Sequence, residues 1–152
     1  MYRRMMVPLD GSELAQTALS HALDLCRGLN ATLVLLHVHV ARAGSLEAAR
    51  RYLDYIKIQN ASLGVPIEIV VRKGEVAESI LQAVEELQID LVVMATHGRS
   101  GIQRVVYGSV AEQVLRGSDR PVLLVRVPGA PIDVSSSQSL ESSSQRKLST
   151  EP

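Results

Sequence analysis

The chain has 152 residues, equal numbers of basic and acidic side chains (16 each), and a hydrophobic fraction of 46%. That length holds one domain with a single core. A formal charge of zero argues against bulk electrostatic binding to nucleic acid or an anionic membrane, leaving only a local basic patch open.

The lone cysteine, Cys26, excludes an intrachain disulfide, and no apolar run reaches transmembrane length. Trp and Phe are absent, which removes the aromatic platforms of single-strand nucleic-acid binders. The basic start of the chain is cut off by Pro8-Leu9-Asp10 before an apolar signal segment can form. A cytoplasmic protein without nucleic-acid or membrane partners is expected.

Met5 to Leu9 reads as a short buried strand ended by the turn Asp10-Gly11-Ser12. A helix follows from Ser12, its N-cap, to about Gly28, with Gly28 or Asn30 as the stop. Leu14, Ala18, Leu19, Ala22, Leu25, Cys26 and Leu29 share its apolar face. Thr32 to Val40 is a near-continuous apolar run, the pattern of a strand covered on both faces. A second helix is expected over Ser45 to Ser62, with Leu46, Ala49, Leu53, Ile56 and Leu63 inward, broken by Gly64-Val65-Pro66. Ile67 to Val71 is the third strand, Glu75 to Leu87 the third helix and Asp90 to Met94 the fourth strand. Ser109 to Arg116 is the fourth helix and Pro121 to Val127 the fifth strand.

Strict alternation of strand and helix predicts an α/β fold, an open five-stranded parallel sheet with helices on both faces. Such sheets bind ligands beyond the carboxyl ends of their strands, where strand order reverses. The loops after strands one and four lie on that edge and meet if those strands are neighbours, which is the inferred order 3-2-1-4-5. Residues 129–152 are Ser-rich with scattered apolar side chains. They are expected to form a disordered tail after a domain over 1–128.

Val93 to Val110 is the chemically distinctive stretch. It leaves an apolar run, crosses a loop bracketed by Gly98 and Gly108 that carries Arg99 and Arg104, and enters a helix at Ser109. Unpaired amides and the helix dipole make such a loop a site for anions. There is no Gly-x-x-x-x-Gly-Lys, so the chain is not a P-loop machine.

Five segments in order resemble the universal stress protein family over roughly Arg4 to Val127. They are Val7-Pro8-Leu9-Asp10-Gly11-Ser12, Leu36-His37-Val38, Val92 to Gly98, Gly108 to Glu112, and Pro121 to Val125. ATP-binding members carry a glycine, two residues, a glycine, nine residues, then glycine with serine or threonine. Gly98, Arg99 to Tyr107 and Gly108-Ser109 match the later parts, while Ala95 replaces the first glycine.

The resemblance implies a Rossmann-like fold of the adenine nucleotide alpha hydrolase kind that binds ATP, or AMP or cyclic AMP, with Mg²⁺. It places the backbone of Leu9 and Val38 on adenine, Asp10 near the ribose or the metal, and Met94 and Ala95 on the pocket floor. Gly98, Arg99, Gly108, Ser109 and Val110 would hold the phosphates. With no Trp or Phe to stack on, a purine would lie between aliphatic side chains such as Pro8, Val38 and Met94. The resemblance also implies a homodimer joined along 121–127, where an apolar edge strand invites pairing.

Each residue also has a plainer reading. Ser109 with Glu112 spells a capping box, Asp10-Gly11 spells a turn, and Arg99 and Arg104 fit solvated charges. His37 and His39 share a strand face, but two ligands are too few for a zinc site. His97 in the loop could carry protons, without an identifiable partner. Cys26 reads as inert packing. The alternatives to an ATP-binding regulatory module with an unknown protein partner are a fold-only dimer without nucleotide and a slow ATPase or self-phosphorylating enzyme. The second lacks an evident base or second metal carboxylate.

Overall fold

The computed structural model describes residues 1–40, 44–98 and 108–128. Arg99, Arg104 and the Ser-rich segment 129–152 lie outside the described residues. Five parallel strands form one sheet: β1 (Arg4–Pro8), β2 (Thr32–His39), β3 (Ile67–Lys73), β4 (Leu91–Gly98) and β5 (Val122–Pro128). The order is β3-β2-β1-β4-β5, so the inferred adjacency of the first and fourth strands is observed.

Alternation along the strands divides the core in two. Met5, Val7, Leu33, Leu35 and Val93 pack beneath α1 (Glu13–Leu29) and α2 (Leu46–Gln59). Met6, Val34, Leu36, Val92 and Met94 pack beneath α3 (Val76–Glu86) and α4 (Ser109–Gly117). Both faces of the central strands are covered, which explains their unbroken apolar sequences.

The predicted boundaries hold with local corrections. Ser12 caps α1 through its Oγ, which accepts from Ala15 N–H at 3.2 Å. The stop is Asn30, in the left-handed region at φ 53°, a conformation asparagine tolerates. The second helix ends at Gln59, and a 3-10 turn over Ala61–Leu63 fills the rest of the predicted span. Leu46 and Leu63, expected inside, are exposed because they fall at the two ends of that segment, beyond the sheet's cover.

The largest revision is β4, which runs to Gly98 rather than Met94. Its last four residues pair with Val125 through Pro128 of β5. His97, read as a loop residue, is therefore in a strand. Polar Thr96-His97-Gly98 disguised it, since the partner strand and not apolar periodicity holds that end.

Candidate functional site

The site begins where β1 stops. Pro8 has no N–H to extend the ladder, and the chain turns at Gly11, whose φ is +87°. Asp10 Oδ1 accepts from Ser12 N–H at 2.9 Å, closing the turn that leads into α1. Burial pushes the Asp10 carboxyl upward, but hydrogen bonding from Ser12 and the backbone outweighs it, with His37 adding to the effect. The carboxyl is held below its ordinary range and is ionised at neutral pH.

On the other side of the switch point, α4 begins at Gly108, φ +81°. The first intrahelical bond is Glu112 N–H to Gly108 C=O at 3.0 Å. The amides of Ser109, Val110 and Ala111 precede it and have no partner within the helix. Among the described residues no side chain caps this end. The capping-box reading of Ser109 is thus corrected: Gly108 is the N-cap, Ser109 is the first helical residue, and Glu112 pairs with Arg116 at 2.9 Å.

These two segments, about a hundred residues apart in sequence, line a single cavity of about 480 Å³ at the carboxyl edge. That volume falls in the range of roughly 300–1,000 Å³ usual for small-molecule sites. Pro8, Leu9 and Asp10 form one side and Gly108, Ser109 and Val110 the other. Val38 of β2 and Met94 and Ala95 of β4, the strands on either side of β1, complete this part of the lining. Gly98 is the last residue of β4, opposite Pro128, and Arg99 lies outside the described residues.

The wall that sequence reasoning missed comes from α3, through Val76 and Ile80, and from the first turn of α1, through Ser12, Leu14 and Ala15. Val76 and Ile80 stand four apart on a helix, a spacing indistinguishable from ordinary core. Only the packing of α3 against the sheet and α4 makes them lining.

Asp10 is the one carboxylate among the described lining residues, which include no lysine or arginine; the rest of the wall is mostly apolar. Val38 supplies backbone polarity. Its N–H and C=O face the space where β1 has ended, and neither has a backbone partner among the described residues. Ala95 packs its methyl against the core beneath α1, away from Met94, which belongs to the opposite face.

Of the remaining candidates, His37 uses Nδ1 on the carbonyl of Leu9, 2.8 Å away, and meets Tyr52 edge-on at a ring separation of 6.3 Å. His39 is buried. Cys26 is buried on the apolar face of α1, and burial pushes its thiol up to about 11.

An open parallel sheet with a largely apolar cavity of small-molecule size at its switch point defines a Rossmann-like α/β protein. The sequence model of the universal stress protein family matches residues 1–126, and the chain belongs to that family. It is similar to the universal stress protein YxiE of Bacillus subtilis, 30% identical, across 83% of this chain and 100% of the relative. A solved universal stress protein in complex with cAMP superposes with a TM-score of 0.69 at 25% identity, covering 84% of this chain and 98% of that one. A family protein of Arabidopsis thaliana with AMP bound shares the fold, with a TM-score of 0.61 at 18% identity, over 86% and 97% of the two chains.

Proposed function

We propose that the chain is a nucleotide-gated regulatory module of the stress response that binds ATP, with Mg²⁺, in the carboxyl-edge cavity. The observation that carries the reading is the convergence of the Asp10 turn and the α4 N-terminus on one cavity. The solved relative in complex with cAMP adds support for an adenine nucleotide.

In this reading adenine lies among Pro8, Val38 and Met94 and meets the backbone of Leu9 and Val38. The α4 N-terminus at Gly108, Ser109 and Val110, with the unpaired amides of its first turn and with Gly98 and Arg99, holds the phosphates through hydrogen bonds and the helix dipole. Asp10 accepts from the ribose or ligates the metal. Mg²⁺ binds through one or two carboxylates together with phosphate oxygens and water, and an ionised Asp10 at the cavity suits that. Ala95 lines the cavity and rests against the α1-side core, so a backbone contact to the ligand stays available beside its methyl.

Titration calorimetry with ATP, ADP, AMP and cyclic AMP tests the reading, with micromolar ATP affinity expected. Heat from none of the four, together with an unchanged melting temperature, overturns it in favour of the fold-only alternative. Native mass spectrometry of the purified protein separates the two quickly, because tightly held nucleotide co-purifies. We further propose a homodimer joined along β5.

A further inference from the structure

At the mouth of the cavity a parallel ladder stops one rung short. Thr32 N–H and Leu36 C=O bond towards β1, whereas Leu33 N–H and His39 C=O bond towards β3. Backbone groups on a parallel strand alternate sides in this way, so both groups of Val38 face the β1 side. Leu9 N–H donates to Leu36 C=O at 2.8 Å. The next rung would be Val38 N–H to Leu9 C=O, and it is not made.

Instead, Leu9 C=O accepts from the imidazole Nδ1 of His37 at 2.8 Å. A carbonyl can only accept, so Nδ1 carries a proton. Tyr52, packed edge-on against the ring, backs the imidazole in this pose.

We propose that His37 is a positioning residue that engages the Leu9 carbonyl and so keeps the Val38 amide open for a ring nitrogen of the purine. The side chain does the work of the missing rung, ending β1 while leaving its neighbour's donor facing the cavity. This rests on the nucleotide reading above for the ligand, but not for the hydrogen-bond exchange itself.

Two measurements separate those parts. In the nucleotide-free protein, NMR hydrogen exchange reads the Val38 amide. Wild type and His37→Asn, whose side-chain amide replaces the Nδ1 donor, are expected to exchange it freely. His37→Leu is expected to protect it at least about tenfold, as Leu9 C=O turns back to it. In calorimetry, His37→Leu should weaken ATP about tenfold, the scale of one lost hydrogen bond. Wild type should lose a similar factor with 1-deaza-ATP, which lacks the N1 acceptor, and His37→Leu should lose little more with that analogue.

Equal Val38 exchange in all three proteins, or wild-type ATP affinity in His37→Leu, overturns the proposal. If His37→Leu does not fold, the wild type decides through the ring ¹⁵N shifts of His37. A neutral-form proton on Nδ1 supports the assignment, and one on Nε2 overturns it. A wild type that binds no adenine nucleotide removes the nucleotide reading, while the exchange and ring-nitrogen results still decide the role of His37.

Discussion

Asp10 and Gly108 carry the sharpest consequences at the scale of single residues. Asp10→Ala removes the one formal negative charge among the described lining residues, and ATP affinity measured with Mg²⁺ is expected to fall at least about tenfold, the scale of a charge-assisted contact. Gly108→Val places a β-branched side chain at φ +81°. An added Cβ would meet nothing within 4 Å there, so the penalty is conformational, about 1–2 kcal/mol. It should shift the α4 amides and abolish ATP heat while the melting temperature drops by several degrees and the protein still folds. Cys26 provides a chemical check on the core. Its thiol is raised to about 11 by burial, so at neutral pH there is almost no thiolate to react. A disulfide reagent should leave it untouched in the native protein and modify it fully in urea; rapid native labelling would contradict the packing of α1.

Between elements, the opposite edge of the sheet is stitched by Asp90. Its Oδ2 accepts from the backbone N–H groups of Arg3 and Arg4 at 2.8 and 2.9 Å, tying the start of β4 to the start of β1. Arg4 reaches across β2 to Glu68 on β3 with two bonds of 2.9 and 2.8 Å. The amide donors lower the Asp90 carboxyl, and Arg4 lowers that of Glu68. Because both folded values lie below the unfolded ones, the unfolded chain binds protons more readily in acid. The stabilisation is present above the ordinary carboxylate range and is lost as pH falls through the depressed values. Asp90→Asn should therefore lower stability at pH 7 by about 1 kcal/mol, discounted for solvent exposure. It should also flatten the decline as pH falls below about 5; a variant with an unchanged acid profile would refute the stitch.

The whole molecule leaves one sheet edge for a partner. β5 pairs only with β4 among the described residues, and Leu123 on it is exposed. Val92 N–H bonds Pro121 C=O, so by alternation the backbone groups of Val122, Leu124 and Arg126 face the open side. Leu124→Pro deletes a donor on that side and spares the ladder to β4. If a second copy docks along β5, light scattering at micromolar concentration should give a dimer for wild type and a monomer for this variant. A monomeric wild type, or a variant that stays dimeric, removes the proposed interface. ATP at a hundred times its dissociation constant should add about 2.7 kcal/mol to stability if the folded state alone binds it, visible as a rise in melting temperature.

Local patterning by itself determined the number and order of the elements. Runs such as Leu33 to Leu36 have one physical explanation, burial on both faces, and Ser12 and Ser45 mark helix starts by the hydrogen bonds their side chains accept. The Asp10 turn and the Gly108 loop end were legible for the same reason, since glycine at positive φ and an acidic turn are local chemistry. Tertiary structure decided what no local signal encodes. The polar end of β4 is a strand only because β5 lies beside it. Val76 and Ile80 line a cavity only because packing sets α3 beside the ends of β2 and β4 and the start of α4. His37 takes the Leu9 carbonyl only because β1 and β2 are neighbours in register. Propensity and capping act within a few residues of chain, whereas a cavity and a diverted hydrogen bond exist only between segments that packing brings together.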